Sequence, residues 1–477
     1  MIFLKSYSQN QVGLTSGNYI GVHNLLINPA NICYQPISLD ITLLSFDANL
    51  NNNQFYSAPT FLLTAPFNSG FKLVPQNRGF KESKVKEGNL VVKKNLVPNG
   101  YIFGGVNLLG PSVLLALSKK RSIALTTGFR THLGVINVSN ITANTVFEGL
   151  TFSEVLFQNM KMTDTKVSFA SWLEGGISYA QVINENNKHL HRLGFSFKAL
   201  FGIAGAYAYD RGINGLNENG KELIFNNSSF SYAYAGPGTS NNSDNNSAFK
   251  MRGLGFGMDI GYSIEKRNYG STRYCPRMYG FSTLGIDYKW KAGISLLDIG
   301  AIKFNQNAFL TEIDNGSMRW PKFDTALTKD IVTIDSLFRS NITGSTPKTA
   351  DAFWLILPSA ISIQFDYHFT QEFFANITIY QRITLVQMPS LTRMNTIVLT
   401  PRFDSEICTV SMPIILNEYK NFNLGLSIRY KYLTIGSDRV GETFGINQAY
   451  GADFYTSFKY YLGQQSSKSK FKKGRLF

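Results

Sequence analysis

No run of eighteen apolar residues occurs in this sequence, and the nearest approach, around Leu108 to Leu117, is cut by Gly110 and Pro111. A membrane-spanning helix needs about 20 mostly apolar residues, so transmembrane helices are excluded; transmembrane strands are not, because alternation dilutes their hydropathy. Cysteine is scarce. Cys33, Cys275 and Cys408 are odd in number and far apart, and fit neither a disulfide framework nor a metal site. Histidine is scarce too: of His23, His132, His189, His191 and His368 none lies two residues from a serine, and His368 with Thr370 comes nearest to a hydroxyl-activating pair. His189 and His191 share one strand face, as metal ligands can, but no third ligand is near them in the sequence. The expectation is a protein that is not an enzyme and that carries no metal and no cofactor. Acidic residues are outnumbered, 31 against 46 basic ones, for a net charge of +15. Basic charge is the footprint of nucleic-acid binding, yet no recognition helix, RNA-binding aromatic motif or zinc-finger spacing accompanies it, so nucleic acid is excluded as a partner.

What is abundant is aromatic residue, with 37 Phe and 24 Tyr, beside a mean hydropathy near zero, −0.08. The stretch Leu193 to Tyr209 shows how the two combine. Leu193, Phe195, Phe197, Phe201, Ile203, Tyr207 and Tyr209 occupy odd positions, while Gly194, Ser196, Lys198, Gly202, Ala204 and Ala206 occupy even ones. A period of two held this long belongs to a strand, because helical faces recur at three and four residues. Globular strands run about 5–6 residues, whereas a tilted bilayer-crossing strand needs about 9–11 and often continues above the membrane. The reading is one stave of a transmembrane barrel, with the small residues facing inward and Tyr207 and Tyr209 closing the oily face where hydrocarbon meets headgroups.

In order along the chain the staves are 37–50, with a change of phase at Leu43–Leu44 that predicts a bulge, then 111–117, 122–137, 166–184, 190–209, 254–264, 286–304, 352–368, 373–387, 395–403, 407–415, 422–430 and 453–462. These number thirteen. Splitting the sequence near Lys431 supplies a fourteenth and makes the number even, as a barrel with both termini on one side requires. Residues 51–110 read as a large external excursion, and residues 210–250, rich in Asn, Ser and Gly, as a surface loop. In the last stave Phe454, Phe458, Tyr460 and Leu462 should face lipid, and Tyr455, Ser457, Lys459 and Tyr461 the lumen. The fold class is therefore all-β, an antiparallel up-and-down transmembrane barrel of about 14 strands with a short N-terminal hatch and long external loops. Its divisions are 1–36, a signal remnant and hatch; 37–463, the barrel; and 464–477, a basic periplasmic tail. The signal reading rests on the small residues at alternate positions in SYSQN.

Five motifs taken in order, GVHNLLINPANI, GISLLDIGAIKF, TPRF, LTIGSD and GADFYTSFKYYL, together resemble a family of uncharacterised outer-membrane barrels of the Bacteroidota. That family is distantly similar to FadL-type fatty-acid transporters and to the PorV barrel of type IX secretion. The resemblance implies an outer-membrane location in a Gram-negative cell. It also implies that Asn28, Pro29 and Ala30 belong to a hatch tucked into the barrel mouth; Gly436, Ser437 and Asp438 read as a loop anchor. Two function classes stay open. One is a passage or binding barrel for apolar or amphipathic small molecules, and the other a non-transporting scaffold or shuttle that binds surface or secretion proteins. Outer-membrane lipid and lipopolysaccharide phosphates are the expected partners of the basic charge.

Overall fold

The computed structural model describes residues 11–57, 73–75, 90–94, 97–118, 120–162, 164–186, 188–237, 249–267, 288–321, 331–370, 372–383 and 388–462. The signal-remnant and basic-tail expectations for 1–10 and 464–477 lie outside the described residues.

The wall is a ring of fourteen antiparallel strands. They are β1 (Leu39–Asn52), β2 (Gly100–Leu109 and Ser112–Ser118), β3 (Arg121–Val138), β4 (Lys166–Glu185), β5 (His189–Asp210), β6 (Gly253–Arg267), β7 (Tyr288–Phe304), β8 (Phe353–Ile356 and Ala360–Thr370), β9 (Phe373–Arg382), β10 (Thr396–Asp404), β11 (Cys408–Ser411 and Ile414–Asn417), β12 (Asn421–Leu424 and Leu426–Tyr430), β13 (Leu433–Ser437) and β14 (Gly451–Leu462). β14 pairs back onto β1, from Leu39 opposite Leu462 to Asn51 opposite Gly451, and leaves no edge. The four split strands break at Pro111, Pro358, Pro413 and Gly425. Proline cannot donate to the ladder, and Gly425 lies across from Pro413, donating its N–H to the proline carbonyl at 2.8 Å.

The polarity of the wall is inverted relative to a soluble protein. Outward-facing Leu125, Ile177, Phe197, Phe256, Ile294, Ile363, Ile377, Leu399, Ile428 and Phe458 are exposed, whereas Asp40, Ser45, Asp259, Ser362, Asp366, Thr400, Arg402 and Ser457 are buried on the inside. A belt of that extent is what lipid, not water, covers. The last stave has the expected phase: Tyr455, Ser457, Lys459 and Tyr461 are buried, and Phe458 and Tyr460 exposed.

Three expectations are corrected. The stretch assigned to the external excursion contains Gly100–Leu109, which pairs with β1 and β3 as the upper half of β2. It does not alternate because Tyr101 and Phe103 point inward, against Met394, and their outward neighbours are apolar as well. β9 ends at Arg382 rather than running to Gln387, where residues 384–387 lie outside the described residues. In β5, Gly202 faces Trp172 and Ala204 faces Ser171, so Ile203 is an extra residue. One extra residue swaps the two faces of everything beyond it. Tyr207 and Tyr209 therefore point inward: Tyr207 packs with Phe353, and Tyr209 Oη donates to the Ser390 carbonyl at 3.1 Å. Neither lies on the lipid face, and Ala204 and Ala206 do not lie on the inner one. The bulge predicted at Leu43–Leu44 is present as a register shift between Thr42 and Leu44.

Above the ring, the strand Glu222–Ala235 continues the wall beside β5 and pairs with Ala308–Pro321. Short connections join the strands at the end where β1 starts and β14 finishes. Most of the long ones lie at the other end.

Candidate functional site

Residues 11–38 run inside the barrel, in short turns of helix (Val12–Thr15, Gly21–Leu26 and Pro29–Ile32). Irregular backbone in a lumen must find partners for its N–H and C=O groups, and here the wall supplies them. Asp438, just after β13, accepts from Val12 N at 3.0 Å and Gly13 N at 3.4 Å. Asp404 on β10 accepts from Asn18 N at 2.8 Å and Asn18 Nδ2 at 3.0 Å. Asp40 at the start of β1 accepts from Val22 N at 3.4 Å and is itself paired with Lys459 of β14 at 3.0 Å.

The Asn28-Pro29-Ala30 turn sits deepest, with Asn28 and Ala30 fully buried. Asn28 caps the turn Pro29–Ile32: its backbone is extended, its Oδ1 accepts from Ala30 N at 2.9 Å, and proline takes the first helical position, where no N–H is needed. The same amide reaches out to the wall, donating from Nδ2 to Tyr262 O and to Gln364 Oε1, both at 3.0 Å. Gln364 returns a bond to Ile27 O at 3.2 Å. Space for the turn comes from glycines on three neighbouring strands. A Cβ on Gly261 would lie 2.0 Å from Asn28 Oδ1, one on Gly194 2.4 Å from Ala30 N, and one on Gly293 2.8 Å from Asn28 Nδ2. Gly436, Ser437 and Asp438 lie together at the top of β13: Gly436 fits against the Tyr455 ring, Ser437 Oγ bonds Thr443 Oγ1 at 3.1 Å, and Asp438 hydrogen-bonds the N-terminal segment.

Charge is stitched across the lumen. Arg402 makes a two-point contact with Asp366 at 2.9 and 2.8 Å and reaches Asp404 at 3.4 Å, while Tyr288 Oη donates to Asp366 at 2.6 Å. Arg192 bridges Glu265 at 3.1 Å to the Cys33 carbonyl at 3.1 Å. Farther along the same strands, Asp298 of β7 takes Arg130 of β3 and Lys198 of β5, both at 2.9 Å, and Lys198 also reaches Asp259 of β6 at 2.8 Å. These long-range networks carry no local signature and were not foreseen from the sequence.

Between the N-terminal segment and the wall, near Ser16, Asn31, Lys291 and Asp366, the remaining cavity is about 20 Å³. That is room for about one water, so the N-terminal segment fills the lumen beside these residues. Toward the long-loop end it widens into a vestibule of about 750 Å³, lined among others by Asn52, Asn53, Tyr101, Arg382, Asn421, Arg439 and Tyr450.

The histidines have structural partners. His23 is buried in the N-terminal segment between Ile20 O and Ser457 Oγ, both 3.3 Å away, and burial together with Lys459 pushes its imidazole down to about 4. Its Nδ1 faces a carbonyl rather than a carboxylate, so the pair with Ser457 lacks the orienting acid of a nucleophilic triad. His368 stacks on Phe374 and contacts Tyr288 O at 2.9 Å. Among the described residues no group of three His, Cys, Asp or Glu side chains is arranged to hold a metal.

A family model matches residues 29–438, under the description "Family of unknown function (DUF5723)". The chain belongs to this family. No curated protein matches it. Among solved structures it is similar to a TodX deltaS2S3 mutant monoaromatic hydrocarbon channel, at 10% identity over 96% of this chain and 99% of that one with a TM-score of 0.42. It is also similar to the P. putida toluene transporter TodX, at 10% identity, 94% and 95% coverage and a TM-score of 0.38. A Pseudomonas aeruginosa FadL homologue matches at 9% identity, 96% and 100% coverage and a TM-score of 0.26. At such distances the fold assignment stands on the chain's own strand pairing.

The glycine seat yields a direct prediction. Gly261→Val places carbon where Asn28 Oδ1 now lies and should lift the Asn28-Pro29-Ala30 turn from its seat. Amide hydrogen exchange checks this: protection of the amides of His23, Ala30 and Asn31 should fall at least about tenfold, a local opening of about 1.4 kcal/mol, while the β4–β5 ladder stays protected. Unchanged protection would mean that the turn does not depend on that close approach.

Proposed function

We propose that this protein is a gated passage in the outer membrane of a Gram-negative bacterium for small amphipathic molecules. The observation that carries the reading is the pairing of an open vestibule with a lumen closed by the chain's own N-terminal segment. That segment is held by hydrogen bonds and a close-fitting glycine seat, so it can move without breaking a covalent bond. The open cavity mixes amide, ion-paired and aromatic side chains, which favours a solute with a polar head over a purely apolar one. The lipid-facing belt and the net charge of +15 suit a bilayer whose outer surface carries phosphate.

Cells carrying the protein in their outer membrane should take up radiolabelled octyl glucoside, at submicellar concentration, faster than cells without it. Equal uptake would contradict the passage reading.

A further inference from the structure

The vestibule differs from the rest of the lumen in what its side chains leave available. Around the Asp298 and Asp366 networks charges meet one another and fill space. The vestibule walls instead carry amides held from behind. Asn53 Oδ1 accepts from Tyr101 N at 2.8 Å, Asn52 Nδ2 donates to Tyr450 O at 2.5 Å, and Asn421 Nδ2 donates to Tyr101 Oη. Each amide group has two donors and an acceptor oxygen with two lone pairs, so internal bonds fix its orientation. Asn52 Oδ1 also accepts from Gln54 N at 3.0 Å and Phe55 N at 2.7 Å, which leaves that amide an N–H to offer, whereas one internal bond holds Asn421. Among the described residues that line it, four of the five charged groups are compensated internally: Arg382 makes a two-point contact with Glu418 at 3.3 and 3.2 Å, and Arg439 pairs with Glu442, while Lys420 is exposed. The paired groups select neither an anion nor a cation, and the cation in excess among these described residues, Lys420, is exposed. Tyr101 and Tyr450 add aromatic surface, and Tyr450 is backed by Tyr56 with ring centroids 5.4 Å apart. A volume of about 750 Å³ is that of a site for a molecule of several rings.

Fixed amides, mostly paired charge and aromatic surface are the complement of one chemistry. Saccharides present hydroxyl edges, which donate and accept, alternating with C–H faces that lie against rings. We propose that the vestibule is a binding site for uncharged polyhydroxylated groups, a short saccharide or the saccharide head of an amphipathic solute. The inference deepens the passage reading by naming the polar part of the solute, but binding can be measured without transport. Because the amides are already oriented, little side-chain entropy is lost when the ligand arrives.

The test is calorimetric titration of the full chain in a polyoxyethylene detergent, which carries no sugar head of its own. The probes are maltohexaose, cellohexaose and N-acetylchitotetraose, with hexaglycine and octanoate as comparators. At least one saccharide should bind saturably, with an affinity that is the same at low and high salt. Tyr450→Ala and Asn421→Leu should each weaken it about tenfold or more, and Tyr450→Phe should not. Heat-modified migration on a gel, unchanged in all three variants, separates loss of the site from loss of the barrel. No saccharide binding, binding of hexaglycine or octanoate alone, or saccharide binding that survives both substitutions would overturn the proposal. Saccharide binding without octyl glucoside uptake would sink the passage reading and leave the site intact; uptake without saccharide binding would do the reverse.

Discussion

Phe458→Lys should cost about 2–4 kcal/mol if its site lies at the bilayer midplane, and should sharply reduce the fraction of chain that inserts. Phe458 stands on the outer face of β14 with 49% of its surface exposed, opposite Leu44 of β1 and Leu433 of β13, which are 50% and 43% exposed. It sits at the seam where β14 pairs with β1 and the ring closes. Urea unfolding in lipid vesicles, followed by the heat-modified gel shift, gives the free energy. The neighbouring Lys459 shows why position decides the outcome: it is buried in the lumen and paired with Asp40 at 3.0 Å. A charge is tolerated one residue away because it points to a carboxylate instead of lipid. If Phe458→Lys inserts normally, the phase of β14 is wrong.

Arg402→Leu should destabilise the barrel by about 3 kcal/mol, because it leaves the buried carboxylates of Asp366 and Asp404 stranded but for Lys291 at 4.0 Å and Arg429 at 3.8 Å. The loss is not confined to an ion pair. Asp404 also holds Asn18 of the N-terminal segment, and Asp366 accepts from Tyr288, so the wall and the segment inside it should loosen together. Adding Asp366→Asn to Arg402→Leu removes one of the stranded charges and should recover part of the stability. A double-mutant cycle in the same unfolding assay measures that coupling. Simple additivity of the two substitutions would show that Arg402 and Asp366 do not act as a unit.

The wall was legible in the sequence because lipid outside and polar lumen inside impose a period of two on every stave. Where that contrast is sharp, as in β14, the sequence alone sufficed to orient Tyr455, Ser457, Phe458, Lys459, Tyr460 and Tyr461. Where it is weak, reading failed for a physical reason. Ile203 is an extra residue in a run of glycine and alanine, so no large side chain marks the change of face, and Tyr207 and Tyr209 were turned the wrong way. The bulge at Leu43–Leu44 could be read because two adjacent leucines cannot both keep the alternation. Gly100–Leu109 escaped because Tyr101 and Phe103 make its inner face as apolar as its outer one. The site was less legible than the wall. Asn28, Pro29 and Ala30 stood out only through resemblance, since their partners Gly194, Gly261, Tyr262 and Gln364 lie more than a hundred residues away in sequence. Asp438 was noticed as part of a turn, and its contact with Val12 and Gly13 depends on ring closure. The vestibule amides Asn52, Asn53 and Asn421 come from the ends of the first and the twelfth strands and have no shared motif.

The central claim, that this barrel is closed by its own N-terminal segment, is tested most directly by conductance in planar lipid bilayers. The full chain is compared with one lacking residues 12–36, each first shown by heat-modified migration to be a folded barrel. The full chain should hold the bilayer insulated apart from rare openings, and the shortened chain should conduct steadily through a polar lumen. Equal conductance of the two, whether both open or both closed, would contradict the account.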